Sequence, residues 1–95
     1  MDPRLYPGAA KIYAPTLTPA EVATIVAAEQ TFTVAGLEVG DCVIVNGPAN
    51  STATGLCGAR VSAANTLALT YTNPTAGALT PTAGVFTIVA FKALP

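Results

Sequence analysis

The sequence predicts an all-β protein, a small antiparallel β-sandwich or jelly-roll-like barrel preceded by an extended N-terminal arm. Three observations predict it. Short runs rich in β-branched and apolar residues recur at roughly 8–12-residue spacing, the pattern of a sandwich or small barrel, and Gly, Pro, Asn and Asp separate them. No stretch has the length and period of a helix that could carry a βαβ crossover, which argues against a parallel α/β sheet. Pro3, Pro7, Pro15 and Pro19 all fall before residue 20; each removes a backbone donor and pushes its predecessor out of the α region. The expected division is therefore an arm over residues 1–22 and a β-sandwich domain over 23–95.

The arm is not a plain linker. Arg4, Leu5, Tyr6, Ile12, Tyr13 and Leu17 are spaced along it, and tyrosine suits interfaces because it joins a broad apolar face to a polar tip. These six are the candidate contacts to a partner or a neighbouring subunit. The competing reading is that the arm folds back and its side chains complete the chain's own core. After it, "TPAEV" has the form of a helix start, with Thr18 as cap, Pro19 at the first position and Glu21 three residues after the cap. One short helical turn is expected near 19–23.

The strands follow in order. "ATIVAAEQTFTV" is rich in β-branched residues, and its second half alternates, with Phe32 and Val34 on one face and Thr31 and Thr33 on the other. "GLEVGD" is a loop with a glycine near each end. "DCVIVN" is apolar on both faces, which argues for a central, two-sided strand. "GPANSTATG" is a turn-rich loop. "GARVSAA" is a strand of small residues, and Asn65 makes the tight connection to "TLALTYTN". That run has the cleanest alternation, with Leu67, Leu69 and Tyr71 inward and Thr66, Ala68, Thr70 and Thr72 outward. Thr66, Thr70 and Thr72 are the candidate oligomer face. "PTAGALTPTAG" is a long loop, and "VFTIVAFK" is the closing strand.

Composition bounds the role. A 95-residue domain buries only about 60–65% of its unfolded-chain surface and needs a compensating device. Metal is a poor candidate, because there is no His and the five acidic residues are scattered. Cys42 and Cys57 form no C-x-x-C pair. A disulfide between them, worth roughly 3 kcal/mol for such a loop, stands against two small buried hydrophobes kept reduced, the reading favoured by compartment logic. Association is the leading device. Charged residues make up 9% of the chain, against about 25% in typical domains, so part of the surface is expected to be covered. A net charge of −1 gives no field for nucleic acid, and the longest aliphatic run, "VATIVAA", is far short of the roughly 20 residues of a spanning helix. No basic and apolar leader opens the chain.

The chemistry of catalysis has no obvious carriers. Without His, no Ser–His or Cys–His arrangement can form. Glu38 and Asp41 sit in a Gly-bounded turn, where acidic residues ordinarily serve as turn formers. The Gly47–Gly55 loop lacks the Lys-Ser/Thr of a phosphate-binding loop. Asn50-Ser51-Thr52 matches the glycosylation acceptor pattern, a short signal that a polar loop accounts for. No enzyme activity and no cofactor are expected.

Two segments carry a resemblance. "GLEVGDCVIVN" (Gly36–Asn46) follows a G-x-x-V-G-D-x-V-x-V-N step, and Ala59–Pro81 follows "ARVSAANTLxLxxxNxTAGxLTP". Over roughly residues 24–92 the chain resembles small β-sandwich structural proteins of tailed-bacteriophage virions, the capsid decoration (cement) and head-fibre-like proteins. The resemblance implies a protein on the outer surface of the capsid, made in the host bacterial cytoplasm. Its implied partners are the major capsid protein and further copies of itself, most simply as a trimer, with an N-terminal extension holding capsid or neighbour. The arm has no motif match of its own. The alternative is a head- or tail-fibre module that binds a host receptor or glycan. The Gly47–Gly55 and Pro74–Gly84 loops contain no aromatic anchor for such a ligand.

Overall fold

Alternation of apolar and polar side chains becomes eight strands in the computed structural model, which describes residues 10–48 and 53–92. They are β1 (Lys11–Tyr13), β2 (Thr16–Leu17), β3 (Val26–Thr33), β4 (Asp41–Asn46), β5 (Gly55–Ala63), β6 (Thr66–Asn73), β7 (Gly84–Val85) and β8 (Thr87–Lys92). Every pairing is antiparallel, in sheets of order β1-β8-β4 and β3-β6-β5 with a short β2-β7 ladder. The expected all-β sandwich class is the one observed. The core lies between the sheets. Ile88 and Ala90 of β8, with Val43 and Val45 of β4, face Leu67, Leu69 and Tyr71 of β6, Val61 of β5 and Phe32 of β3. Burying each of the large side chains contributes about 1.5–3 kcal/mol.

β6 is the central strand of its sheet, and Leu67, Ala68 and Leu69 are fully buried. Both of its ends carry an asparagine. Asn65 closes the β5–β6 hairpin at φ +61°, a left-handed conformation that asparagine tolerates better than most residues. Its backbone and side chain then clamp the Val34–Leu37 turn. Asn65 N donates to Leu37 O (2.8 Å), Val34 N donates to Asn65 O (2.9 Å), and Gly36 N donates to Asn65 Oδ1 (2.8 Å). Gly36 itself has φ +103°, and a Cβ there would lie 2.8 Å from the Tyr13 hydroxyl oxygen.

Asn73 closes the other end and is buried. Its Nδ2 donates to Val22 O (3.0 Å) and Gly77 O (2.8 Å). Its Oδ1 accepts from Thr75 N (2.9 Å) and the Thr75 hydroxyl (2.7 Å). The long loop after β6 is thereby fixed, and Leu79 forms an isolated bridge with Val22.

Several expectations change. Residues 10–22, read as part of the arm, lie along the domain: β1 pairs with β8 and β2 with β7, and Leu17 and Val22 enter the core. For these residues the fold-back reading is the observed one. Pro15 interrupts the ladder because it has no N–H, yet its carbonyl accepts from Phe86 N (2.9 Å), which turns Phe86 into the core. The closing strand is accordingly split into β7 and β8. No helical turn forms at 19–23, because the Val22 backbone pairs with Leu79 instead. The strand read from Ala23 begins only at Val26, after a turn in which Ile25 takes φ +52°. β4 lies at the end of its sheet rather than the centre, and β8 takes the central place. Cys42 and Cys57 are free thiols and both are exposed, neither disulfide-bonded nor buried. Cys57 occupies the bulge between Leu56 and Gly58.

Two outcomes follow for stability. Asn73→Ala leaves the Thr75 N–H without its acceptor and takes one of two donors from Val22 O, which keeps Leu79 N, and from Gly77 O, which keeps the Thr75 hydroxyl, so it should lower stability by about 1–3 kcal/mol, read from the urea midpoint. Asn73→Asp should do the same at neutral pH, since a carboxylate donates nothing to Val22 and Gly77, and should recover partly in acid. Gly36→Ala combines a disfavoured φ with the Tyr13 contact and should cost about 1–3 kcal/mol. An unchanged midpoint for either Ala variant would show that the clamp at that end of β6 is dispensable.

Candidate interaction surface

Each sheet has one inner and one outer face, and the outer faces differ in character. On β1-β8-β4 the register places Ile12, Val89 and Ile44 in one row across all three strands. Phe91 and Cys42 form the row on one side of it, and Thr87 and Asn46 the row on the other. Those seven side chains include no charge. Ile12 is 73% exposed and Ile44 61%. Exposed isoleucines scattered singly are ordinary; a contiguous, uncharged aliphatic row is the form an interaction surface takes.

The outer face of β3-β6-β5 is closed by its own side chains. Glu29 of β3 and Arg60 of β5 sit on opposite sides of β6, at positions facing Thr70 and Ala68. Arg60 Nε and Nη2 each donate to Glu29 at 2.8 Å, a bidentate pair reaching across the central strand. Ala68, with only a methyl group, leaves room for that crossing and is fully buried. The guanidinium bonds lower the Glu29 pKa, and the same bonds raise that of Arg60.

Charge also gathers at the Asp41 end of β4. Glu38 N donates to Asp41 Oδ2 and Asp41 N to Glu38 O, both at 3.0 Å, so these two residues build the turn. Lys92 pairs with Glu38, and its Nζ lies 3.3 Å from Asp41 Oδ1. That oxygen is sealed from solvent and accepts no hydrogen bond, so the ammonium balances its charge without bonding geometry.

A groove of about 300 Å³ opens beside the far end of β4. Tyr71, Phe86, Pro48, Pro81, Leu56 and Asn46 line it together with Thr54 and Thr82. Gly47 rests on the Phe86 ring, where a Cβ would come within 3.0 Å of ring carbon Cε2.

The expected contact residues fall in three places. Arg4, Leu5 and Tyr6 lie outside the described residues, as does Asn50-Ser51-Thr52. Ile12 is exposed on the uncharged face, Tyr13 packs half-buried against the core, and Leu17 is 6% exposed and thus a core residue, inaccessible to a partner. Thr66, Thr70 and Thr72 are half-buried in the central strand. They do not form the open, low-charge face expected of them, because the Arg60–Glu29 pair spans that side. Sequence reasoning missed Ile44, Val89 and Phe91 as surface residues. The signal was present, since "DCVIVN" and "TIVAFK" are apolar at both parities, but it also fits burial on both faces.

Among the described residues no cluster of His, Cys, Asp and Glu could hold a metal ion, and no helix is long and apolar enough to cross a membrane. Comparison with protein-family models, with curated proteins and with solved structures found no match.

The ion pair has a direct readout. In Arg60→Ala the Glu29 carboxyl should titrate higher than in the parent protein, back in the ordinary carboxylate range, when followed by NMR. Because the folded-state pKa of Glu29 is lowered, the pair's stabilisation is present above the unfolded pKa and lost as pH falls through the folded one. Glu29 is solvent-exposed, so the change in stability should be small.

Proposed function

We propose that this chain is a non-catalytic structural protein that binds the outer surface of a tailed-phage capsid and stabilises the assembled shell, acting as a homo-oligomer. The observation that carries the reading is the uncharged row Ile12–Val89–Ile44 with Phe91 beside it. Burying such a face against capsid or neighbour gains apolar contact without stripping water from charge. The resemblance of Gly36–Asn46 and Ala59–Pro81 to virion decoration proteins supports the same reading. A protein that binds only the assembled lattice stabilises it by its binding free energy. The fibre-module alternative has less support, since neither loop, 47–55 or 74–84, contains an aromatic residue.

Co-sedimentation with capsids of the virus tests the reading. Ile44→Glu sits on an exposed outer position, so the variant should stay folded yet lose capsid binding by at least tenfold. Binding at parental affinity would sink the role of this face. Deleting residues 1–9, which spares every described strand, isolates the contribution of Arg4, Leu5 and Tyr6 and should weaken binding further. Sedimentation equilibrium should return a multiple of the 9.5 kDa chain mass, three for a trimer; a stable monomer at micromolar concentration would contradict the oligomer.

A further inference from the structure

Strands β1, β4, β3 and β5 end the two larger sheets. An end strand leaves a row of backbone N–H and C=O groups without a ladder partner, and proteins usually protect that row by shortness, charge, bulges or cover. Three of the four ends have such protection. β1 is Lys11–Tyr13 only, with a lysine in it and Pro15 soon after. β5 is interrupted between Leu56 and Gly58 and again between Val61 and Ala63, and β4 lies against β5. β3 has none of these devices. Val26–Thr33 runs in unbroken one-to-one register with β6 and contains no Pro and no Lys. Among the described residues its only ladder partner is β6. Its single charge, Glu29, is drawn onto Arg60 on the far side of β6, so it does not guard the edge.

The residues of β3 suit it to pair with itself. A two-fold axis normal to the sheet keeps the inner faces of both copies on one side, so residues of like parity meet across the axis. Two registers then use the most of β3. One sets Glu29 opposite Glu29 of the second copy, a like-charge contact that opposes pairing. The other sets Gln30 on the axis and pairs Glu29 with Thr31, Ala28 with Phe32 and Ala27 with Thr33. In that register no like charges meet, and the large Phe32 side chain faces a methyl group. Gln30 brings no unpaired group to the axis, because its amide already accepts from Ala20 N (2.7 Å) and donates to Ala20 O (2.8 Å). We propose that two copies of this chain join through antiparallel β3–β3 pairing about Gln30, making one six-stranded sheet. Its outer ends are then the two interrupted β5 strands, so the pairing closes at two copies. The uncharged face bearing Ile44 belongs to the other sheet and stays free for a different partner. The pairing does not rest on capsid binding.

The test uses the full-length protein in sedimentation equilibrium at concentrations up to about 1 mM, a range that detects even weak pairing. The expected species is a dimer. By NMR, the β3 amides that do not bond to β6 should gain protection from hydrogen exchange as concentration rises, a readout that needs no variant. Thr31 is exposed on the outer face, and the register sets it opposite Glu29 of the second copy. Thr31→Glu should therefore weaken the dimer and Thr31→Lys strengthen it, each by about threefold or more because the contact occurs twice. The proposal is overturned by a monomer throughout that range, by a trimer, by a dimer whose β3 amides gain no protection, or by both variants shifting the dimer in the same direction. Capsid binding is judged separately by co-sedimentation, which none of these outcomes decides.

Discussion

The side-chain amide of Asn73 is the constraint from which most of the architecture extends. It is buried at the end of the central strand β6 and satisfied on both sides, donating to Val22 and Gly77 and accepting twice from Thr75. One side chain thus ties the N-terminal segment at Val22 and the loop after β6 to the end of that strand. The Val22 contact holds the end of the N-terminal segment, and that segment runs back through β2 and β1 along β7 and β8. The second sheet is therefore seated on the first partly through a polar anchor. Buried polar groups of this kind are favourable only when fully paired, and this one is.

A domain of this size needs something beyond its core. Metal and disulfide do not supply it among the described residues. Part of the need is met internally: residues 10–22 add β1, β2, Leu17 and Val22 to the β-domain. The two asparagines at the ends of β6 clamp loops that would otherwise be long and loosely held. What remains unburied is an apolar face, and it is on that face that association would act.

The few charges are placed so that the two outer faces differ. Arg60 and Glu29 cross one of them, and Glu38, Asp41 and Lys92 cluster at one end of β4. The outer face of β1-β8-β4 is left without charge. Low overall charge is a property of composition. Its concentration away from one face is a property of the fold, and it turns a vague expectation of a covered surface into a particular row of side chains.

The fold class was legible because period-two alternation and turn residues are local signals. "TLALTYTN" became β6 with Leu67, Leu69 and Tyr71 inward, and the tight turn at Asn65 followed from the residues beside it. The candidate site was less legible. Ile12 could be named as a contact, but the apolar runs "DCVIVN" and "TIVAFK" do not say which face is open. Strand order decides that, and strand order comes from pairings between residues far apart in the chain. The same holds for the arm, where four prolines exclude long helix but do not say what the extended chain lies against. By itself the sequence determined the β class, the core of β6, the loops and the scarcity of charge. Only the tertiary structure decided that residues 10–22 belong to the domain, that β8 is central and β4 is not, and that the uncharged face is the one bearing Ile12, Val89 and Ile44. Each of those depends on long-range partners, for which a single chain carries no local signal.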